Sequence, residues 1–349
     1  MLDNLLKIDL NHILAHTNDL WGELRGQRIF ITGGTGFLGH WMLESFVWAN
    51  DQIGLDAQAV VLTRDPDSFL KNAPRLAAHP AIKLHVGDVR SFDFPSGHFS
   101  HIIHMATETS QKLNVEEPLL MLDTIVQGTR HTLDFAHFCG VRKLLLVSSG
   151  AVYGRQPPEL SHIPEDYVGA PDVMDPSSAY GEGKRLAEYL CLIYKRYGIE
   201  SKIVRGFAFV GPYLPLKIHF AIGNFIDDAI RVQPIQVTGD GTPYRSYLYA
   251  ADAAIWLWTI LFHGQPCRPY NVGSDRGINI ADLADLVRRV VNPNVGINIA
   301  QRADPAHPLQ QYVPLIERAQ QELVLDVWVS LEEAIDKTCR WLRKGGLRY

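Results

Sequence analysis

A glycine-rich turn directly follows a short apolar run near the start of this chain, and it restricts the fold more than any other feature. Residues Arg28–Thr32 are β-branched and aromatic, as in a buried strand. The turn Gly33-Gly-Thr-Gly-Phe-Leu-Gly39 comes next, and a helical pattern of apolar residues continues after it. Because Gly33, Gly36 and Gly39 permit a tight turn and close approach of the backbone, the sequence predicts a strand–turn–helix unit.

Strand-like and helix-like segments then alternate along the chain. Further strand-like runs occupy residues 59–63, 82–86, 101–104, 144–148 and 201–204. Helical patterns lie between them, the longest at Pro118–Cys139 and Ala179–Tyr197. Because such alternation gives right-handed βαβ crossovers, we predict an α/β fold: a Rossmann-type, doubly wound parallel sheet with a smaller C-terminal substrate-binding lobe.

The composition suggests how the chain is divided. Residues 1–27 carry Leu and Ile at helical spacing and predict an N-terminal helical extension. Residues 28–206 are expected to form the Rossmann dinucleotide-binding domain, which also receives part of 234–262. Residues 207–349 contain irregular Gly- and Pro-rich turns and are expected to supply most of the smaller lobe.

Charge and cysteine usage exclude several classes of protein. With 33 Lys and Arg against 38 Asp and Glu, the net charge of −5 argues against nucleic-acid or anionic-membrane partners. The longest apolar run, Ala253–Phe262, is about half a membrane span, and the first residues do not resemble a signal peptide. Four scattered cysteines indicate neither a disulfide framework nor a zinc site. We therefore expect a cytoplasmic protein with no metal.

The glycine turn also points to a cofactor, because amides at a helix N-terminus can face a pyrophosphate. At the end of the second strand, an acidic residue would bind the ribose 2′-hydroxyl of NAD, whereas an Arg would accommodate the 2′-phosphate of NADP. Thr63 stands where the acid would be and Arg64 follows, which favours NADP(H). In the alternative interpretation Asp65 holds the ribose and Arg64 stacks on the adenine or faces solvent. Asp88 and Val89, after the third strand, are placed to meet the adenine.

A second constellation supplies proton-transfer chemistry. Tyr180 and Lys184 are four residues apart in a helical pattern, and therefore lie on one face of the helix. An ammonium near the phenol is expected to lower the pKa of Tyr180 from about 10 toward neutral pH. Ser149, at a strand end, could hold the oxygen that gains or loses the proton. Together these three groups could transfer a proton from an alcohol or to a ketone.

With these pieces assembled, the chain resembles the extended short-chain dehydrogenase/reductases that modify nucleotide-sugars. The resemblance covers about residues 28–325. Its marks are the glycine turn, Gly87-Asp88, His104-Met-Ala106, Ser149 with Val152-Tyr153-Gly154, Tyr180 with Lys184, Arg205 with Gly211-Pro212, and the segment from Gly239 to Asp252.

The resemblance implies roles for individual residues. Tyr180 would be the acid/base, Lys184 would tune it and bind the nicotinamide ribose, and Ser149 would hydrogen-bond the reacting oxygen. NAD(P) would contact Gly33, Gly36, Phe37, Leu38, Gly39, Thr63, Arg64, Asp88, Val89, Met105, Ala106, Tyr180, Lys184 and Phe207. A nucleotide-diphosphate sugar would contact Thr107, Glu108, Ser149, Asn224, Arg245 and Arg302.

Departures from the family pattern narrow the expected reaction. Dehydratases of this group carry an Asp-Glu pair after the catalytic hydroxyl residue, whereas this chain has Gly150 and Ala151. Ala208 replaces an Asn that many relatives use on the substrate phosphate, and this puts the substrate pose in question. Glu108 could be a second acid/base or a solvated loop carboxylate. His104, at a strand end, is interpreted as a packed histidine.

The leading hypothesis is an NAD(P)-dependent epimerase or 4-ketoreductase acting at C4 of a nucleotide-linked hexose. Decarboxylation or dehydration of a nucleotide-sugar is the alternative, and a dinucleotide-binding regulatory protein without turnover is the non-enzymatic one. Related proteins often dimerise through two helices from each subunit. Pro118–Cys139 and Ala179–Tyr197 are the candidates here, so a homodimer is expected.

Overall fold

Seven parallel strands form the central sheet. They are β1 (Arg28–Thr32), β2 (Gln58–Thr63), β3 (Ile82–Val86), β4 (His101–His104), β5 (Lys143–Ser149), β6 (Glu200–Gly206) and, for the seventh, Pro269–Val272. Their spatial order places β4, β5, β6 and the seventh strand on one side of β1, and β2 and β3 on the other. Every pair is parallel. The predicted doubly wound α/β sheet is confirmed in this computed structural model, which describes residues 2–107, 111–216, 220–304 and 309–345.

Apolar residues fill both faces of the sheet, because helices cover it on each side. Successive side chains of a strand point to opposite faces. In β1, Ile29 and Ile31 therefore join one core cluster, while Phe30 joins the other. This explains why the strands read as continuous apolar runs rather than as alternating ones.

Twelve helices lie among the described residues. They are α1 (Leu2–Thr17), α2 (Phe37–Ile53), α3 (Pro66–Asn72), α4 (Pro74–Ala77), α5 (Gln111–Glu116), α6 (Pro118–Phe138), α7 (Ala179–Tyr194), α8 (Ala221–Ile230), α9 (Ala250–His263), α10 (Ile280–Val291), α11 (Glu317–Leu323) and α12 (Leu331–Arg343). Helices α6 and α7 pack against each other on one face of the sheet, and α2 and α9 pack on the other. The helix predicted to continue to Tyr197 ends at Tyr194 and passes into a 3₁₀ turn.

The remaining strands are short and lie outside the central sheet. They are β7 (Phe209–Val210), β8 (Ile235–Val237), β9 (Tyr244–Arg245), β10 (Leu248–Tyr249), β12 (Ile278–Asn279), β13 (Ile297–Ile299) and β14 (Gln311–Tyr312), with the seventh sheet strand numbered β11 in chain order. Strand β9 lies between β12 and β14, β8 pairs with β13, and β7 pairs with β10. The second half of the chain contributes more to the large domain than the expected part of 234–262. Strand β11 lies beyond that segment and forms an edge strand of the large sheet.

The N-terminal helix α1 is joined to the rest of the chain by buried polar contacts. Tyr249 Oη donates to Asp9 Oδ2 at 2.7 Å, and Lys337 Nζ donates to Asp9 Oδ1 at 2.7 Å. His12 Nε2 lies 3.1 Å from Asp252 Oδ1. Since Asp9 and Asp252 are buried, these contacts hold α1 against α9 and α12. Helix α1 is therefore part of the packed structure.

The glycine turn between β1 and α2 leaves no room for side chains. Gly33 has φ +71°, and a β-carbon there would lie 2.6 Å from the backbone nitrogen of Ala106. A β-carbon on Gly39 would overlap the carbonyl oxygen of Gly33 and lie 2.5 Å from the carbonyl carbon of Gly34. The first turn of α2 thus packs directly on the loop that precedes it, as the glycine spacing predicts.

None of the described helices is long and apolar enough to span a membrane. The described side chains also contain no group of three His, Cys, Asp or Glu residues that could hold a metal ion.

Gly39→Ala is expected to lower the free energy of unfolding by about 2 kcal/mol, because the new methyl must displace backbone rather than a flexible side chain. Gly22→Ala is the matched control, since a β-carbon at Gly22 has no neighbour within 4 Å. It should leave stability unchanged or slightly higher. Urea titration followed by circular dichroism measures both. Equal midpoints for Gly39→Ala and the parent protein would contradict this account of the turn.

Candidate active site

The candidate site lies at the carboxyl ends of the strands, where the strand order reverses between β1 and β4. In open α/β sheets, a crevice forms at such a position. Ser149 is the last residue of β5, and Tyr180 and Lys184 lie in the first two turns of α7, which packs on β5. The sheet therefore brings together the three residues that the sequence analysis singled out.

Ser149 is held at a sharp change of direction. Its backbone is extended, and it caps a 3₁₀ turn over Gly150–Tyr153, with its Oγ accepting a hydrogen bond from the Ala151 amide at 3.1 Å. Hydrogen bonding to the Ser149 hydroxyl acts to lower the pKa of Tyr180 and of Tyr312, against the larger effect of burial, which raises both. Ser149 therefore lies near a phenol of α7 and a phenol of the smaller lobe.

Tyr180 is positioned by a residue that the sequence analysis missed. The backbone amide of Tyr180 donates to Asn114 Oδ1 at 3.0 Å, and Asn114 Nδ2 in turn donates to the carbonyl of Ser177. Asn114 lies in α5, and no motif singles it out. It ties α5 to the N-terminus of α7 and so fixes the backbone position from which the Tyr180 side chain extends.

Lys184 is buried, and its ammonium points at the sheet. Its Nζ donates to the carbonyl of Val147 at 2.8 Å and lies 5.9 Å from the centroid of the Tyr180 ring. Burial lowers the pKa of Lys184 to about 8, with Glu188 acting in the opposite direction. Glu188 itself pairs with Arg205 at 2.7 Å and accepts from Ser148 Oγ.

The expectation that Lys184 lowers the pKa of Tyr180 is wrong for the protein alone. Burial raises the pKa of Tyr180 above its usual value, and only the hydrogen bond with Ser149 opposes this. The physical reason is that the ammonium is committed to Val147, beneath the ring, rather than to the phenol oxygen. Tyr180 is therefore held in its protonated form.

His104 is a packed histidine, as interpreted from the sequence. Its Nδ1 lies 2.7 Å from Thr32 Oγ1, and its Nε2 lies 3.1 Å from Thr129 Oγ1. Burial, and then the charge of Lys184, lower its pKa to about 3, so the ring stays neutral. It joins the ends of β1 and β4 to α6 and so supports the start of the 105–107 loop.

The glycine turn forms a cradle of the kind that a dinucleotide pyrophosphate needs. Gly36 caps α2 without a side chain, so the cap residue supplies no side-chain acceptor to the first amides of that helix, which begins at Phe37. Met105 and Ala106 lie against Gly33, and the Ala106 amide donates to Thr32 Oγ1 at 3.2 Å. These residues fit NAD(P), since helix amides and close backbone approach are the features that such a cofactor uses.

The end of β2 carries a cation, Arg64, and a carboxylate, Asp65, that is already engaged through one of its oxygens. Asp65 caps α3, with its Oδ1 accepting from the Ser68 amide at 2.9 Å, while its own amide donates to Thr63 Oγ1. Arg64 is exposed. Asp88 is held by Arg90 in a two-point contact at 2.9 Å. Arg90, which the sequence analysis missed, lowers the pKa of Asp88 to about 2, with a smaller contribution from Arg64.

Two further residues expected at the cofactor lie in different surroundings. Val89 is buried in the core against Gly128 of α6, so its side chain is not available to a ligand. Phe207 follows β6, and its ring lies 4.6 Å from the ring of Tyr312. Phe207 therefore forms part of the boundary between the sheet and the smaller lobe.

The residues expected at the substrate are brought together only in part. Arg245 of β9 pairs across the small sheet with Tyr312, and its charge reaches that phenol. Thr107 lies half-buried after Ala106, and Asn224 lies in the first turn of α8. Arg302 is exposed in the loop after β13. Glu108 lies outside the described residues.

Tyr312 is the functional candidate that the sequence analysis missed altogether. It comes from β14, far along the chain, yet its hydroxyl lies against Gly150, the residue after Ser149. A β-carbon on Gly150 would lie 2.6 Å from Tyr312 Oη and 2.8 Å from Phe207 Cζ. No local pattern around Tyr312 signals this position, because the contact depends on how the two lobes meet.

Comparisons with known proteins agree with this geometry. The NAD dependent epimerase/dehydratase family matches residues 29–273. UDP-glucuronic acid decarboxylase 1 of Xenopus tropicalis is 30% identical over 325 residues, covering 91% of this chain and 72% of that protein. UDP-glucuronic acid decarboxylase 3 of Arabidopsis thaliana is 30% identical over 309 residues, covering 88% and 86%.

A solved structure shares the fold. UDP-glucose 4-epimerase of Thermotoga maritima, in complex with UDP-glucose, superposes with a TM-score of 0.76 at 21% identity, covering 91% of this chain and 99% of that one. The sequence resemblance to extended short-chain dehydrogenase/reductases is confirmed, and this chain belongs to the NAD-dependent epimerase/dehydratase family of enzymes.

Proposed function

We propose that this protein is an NAD(P)-dependent enzyme that acts at C4 of a nucleotide-diphosphate sugar, with Tyr180 as the acid/base. The observation that carries the proposal is the convergence of Ser149, Tyr180 and Lys184 at the carboxyl ends of the strands, the edge of the sheet at which the glycine turn follows β1. The names of the decarboxylase relatives and the bound ligand of the similar epimerase structure support a UDP-linked sugar as the substrate class.

The proposed chemistry divides between cofactor and protein. When bound, a nicotinamide supplies a place for the C4 hydrogen to be taken or returned as hydride. Tyr180 donates the proton to a C4 ketone oxygen during reduction, or takes it from the C4 hydroxyl during oxidation. Ser149 holds that oxygen, and Lys184 keeps the helix seated on β5 beside it.

The end of β2 supports NADP(H). Asp65 serves as a helix cap through one oxygen and Asp88 is held by Arg90, so a ribose hydroxyl would share either carboxylate with a partner that it already has. A guanidinium such as that of Arg64 binds phosphate by charge-assisted hydrogen bonds. These features favour a 2′-phosphate, and with it an enzyme that exchanges its cofactor with solution.

The protonation of Tyr180 supports ketone reduction. With the pKa of Tyr180 raised by burial, the phenol carries its proton at neutral pH and can give it to a ketone oxygen. An epimerase both oxidises and reduces C4 in one cycle, whereas a 4-ketoreductase only reduces it. We therefore place the 4-ketoreductase first and the C4 epimerase second. Both use the same residues.

Decarboxylation is a further candidate, and the two UDP-glucuronic acid decarboxylase relatives favour it. Oxidation at C4 of a hexuronate makes a β-keto acid. The C5–C6 bond then breaks with release of CO₂, C5 gains a proton, and the C4 ketone is reduced again. Dehydration is disfavoured because Gly150 and Ala151 carry no acid or base.

We also propose a homodimer through α6 and α7. Ile125 and Leu133 of α6 are buried in the core, but Leu119, Leu186 and Tyr189 are 76%, 43% and 61% exposed. These two helices thus present an apolar outer face, as a helix-pair interface requires.

Leu186→Asp is expected to convert the dimer to a monomer, because a carboxylate would be desolvated in the interface. Val324→Asp, at an exposed position after α11, is the control and should stay dimeric. Light scattering coupled to size-exclusion chromatography gives the mass of each variant. A monomeric parent protein would refute the proposed interface.

Arg64→Ala is expected to weaken NADPH binding by about tenfold or more, since it removes a charge-assisted contact to phosphate. NADH binding should change by less than about twofold. Arg142→Ala removes the same charge beside the start of β5, at the opposite edge of the sheet, and serves as the control. Calorimetric titration with each dinucleotide measures the effect. Equal loss of NADPH and NADH affinity would contradict a 2′-phosphate site at Arg64.

Turnover tests the proposed function directly. The purified protein is assayed with NADPH and 4-keto nucleotide-sugars, then with UDP-hexoses for epimers, and with UDP-glucuronate for CO₂ release. Oxidation of NADPH identifies a ketoreductase, and the other two products identify the epimerase and the decarboxylase. Tyr180→Phe should lower kcat by about a hundredfold or more, the usual contribution of a positioned acid/base.

Tyr167→Phe is the control for that substitution, because Tyr167 lies near Tyr153 and not at Ser149. Unchanged turnover in Tyr180→Phe would refute the acid/base role. No reaction in any of the three assays would favour the non-enzymatic regulatory protein instead.

A further inference from the structure

A buried tyrosine with an unusual backbone conformation joins the smaller lobe to helix α2. Tyr213 has φ +71°, in the left-handed region that bulky side chains rarely adopt. Five described residues other than glycine have a positive φ, and the other four are exposed or half-buried, whereas Tyr213 is 6% exposed. Strain of this kind persists only where surrounding contacts hold it, and it is concentrated at ligand clamps and switch regions. The contacts of Tyr213 therefore indicate what the strained residue supports.

Two side chains of α2 hold Tyr213 and the residue before it. Tyr213 Oη donates to Glu44 Oε1 at 2.7 Å, and Glu44 is buried and paired with Arg75. Trp41 Nε1, from the same helix, donates to the carbonyl of Pro212 at 2.9 Å. Because α2 holds both the phenol and the backbone of this segment, Tyr213 cannot move relative to the helix without losing buried hydrogen bonds.

The ring of Tyr213 supports a histidine in the first turn of α2. The rings of Tyr213 and His40 are stacked, with centroids 4.7 Å apart and planes 21° apart. Burial lowers the pKa of His40 to about 4, so the imidazole is neutral at pH 7. His40 Nδ1 lies 2.8 Å from the carbonyl oxygen of Gly36. Since a carbonyl only accepts, Nδ1 carries the single proton of the neutral ring and donates it to Gly36.

His40 supplies two hydrogen bonds that orient the Gly36 peptide. The carbonyl of Gly36 also accepts from the His40 backbone amide at 2.9 Å, so each of its two lone pairs has a donor. This carbonyl and the Phe37 amide belong to one planar peptide unit. Fixing the carbonyl therefore fixes the direction of the Phe37 N–H, the first amide of α2 and a candidate ligand of the pyrophosphate. Gly36 itself has no side chain to restrain this peptide.

We propose that Tyr213 and His40 are positioning residues of the dinucleotide site. Tyr213 holds the imidazole in place, the imidazole holds the Gly36 carbonyl, and the direction of the Phe37 amide is thereby set for binding the pyrophosphate. The proposal rests on the cofactor site of the proposed function and not on the reaction at C4. It makes the segment after β7 a contributor to cofactor binding, although this segment lies far along the chain from the glycine turn.

His40→Phe is expected to raise the Kd of NADP⁺ about fivefold, because the new ring can still stack on Tyr213 but cannot donate to Gly36. Tyr213→Leu should weaken binding to a similar extent, since the imidazole loses the surface that holds it. NAD⁺ binding should weaken by the same factor as NADP⁺ binding in each variant, because the pyrophosphate is common to both. UDP, which probes the nucleotide-sugar site, should keep its Kd within about twofold. Calorimetric titration of each variant with the three ligands measures these values.

Each substitution has a matched control. His101→Phe replaces another buried histidine, whose pKa burial also lowers to about 4, at the start of β4 and so at the end of the sheet opposite the glycine turn. Tyr270→Leu removes another buried phenol that donates to a carboxylate, that of Glu322 at 2.8 Å. Both controls should keep the Kd of NADP⁺ within about twofold of the parent value. Circular dichroism shows whether each variant is folded, and His40→Phe alone decides if Tyr213→Leu does not fold.

An unchanged Kd of both dinucleotides in His40→Phe overturns the proposal. So does a parallel loss of UDP affinity, which would show a structural role only. A parent protein that binds neither dinucleotide refutes this proposal together with the cofactor site. A parent protein that binds a dinucleotide but turns over no sugar refutes the proposed reaction, and the change in Kd still decides the roles of His40 and Tyr213.

Discussion

One buried hydrogen bond, from Lys184 Nζ to the carbonyl of Val147, sets the geometry on which the site depends. A buried ammonium is costly unless it is paired, so the helix that carries it must dock where a carbonyl is available. That carbonyl lies two residues before Ser149 on β5. Docking α7 there places Tyr180, one turn earlier on the same helix face, next to the end of the strand.

The same burial decides the electrostatics. Lys184 loses proton affinity and Tyr180 gains it, because both lose solvent and neither is aimed at the other. The protein alone thus keeps the phenol protonated, and the hydrogen bond from Ser149 becomes its main opposing influence. The direction of the Ser149 hydroxyl therefore bears directly on the protonation of Tyr180.

The sequence predicted the sheet well because its strands are buried on both faces and read as short apolar runs. It missed β11, since Pro269-Tyr-Asn-Val272 is short, contains a proline and a polar residue, and forms the sheet edge. The four-residue spacing identified Tyr180 and Lys184. The predicted lowering of the Tyr180 pKa was wrong, because that pKa depends on where the Lys184 ammonium points. Asn114 and Tyr312 could not be predicted, because their roles come from contacts between segments distant in the chain.

The candidate reactions proposed for this chain share a redox step at C4, so the difference between them must come from groups around it. Beside Ser149 this chain has Gly150 and Ala151, which offer no acid or base. The space at Gly150 is filled from the other lobe by Tyr312 and Phe207. A phenol at that place, being protonated and buried, is a poor base for removing the C5 hydrogen. The packing of the smaller lobe on residue 150 therefore works against elimination across C5 and C6, and that packing would contribute to the selectivity of the reaction.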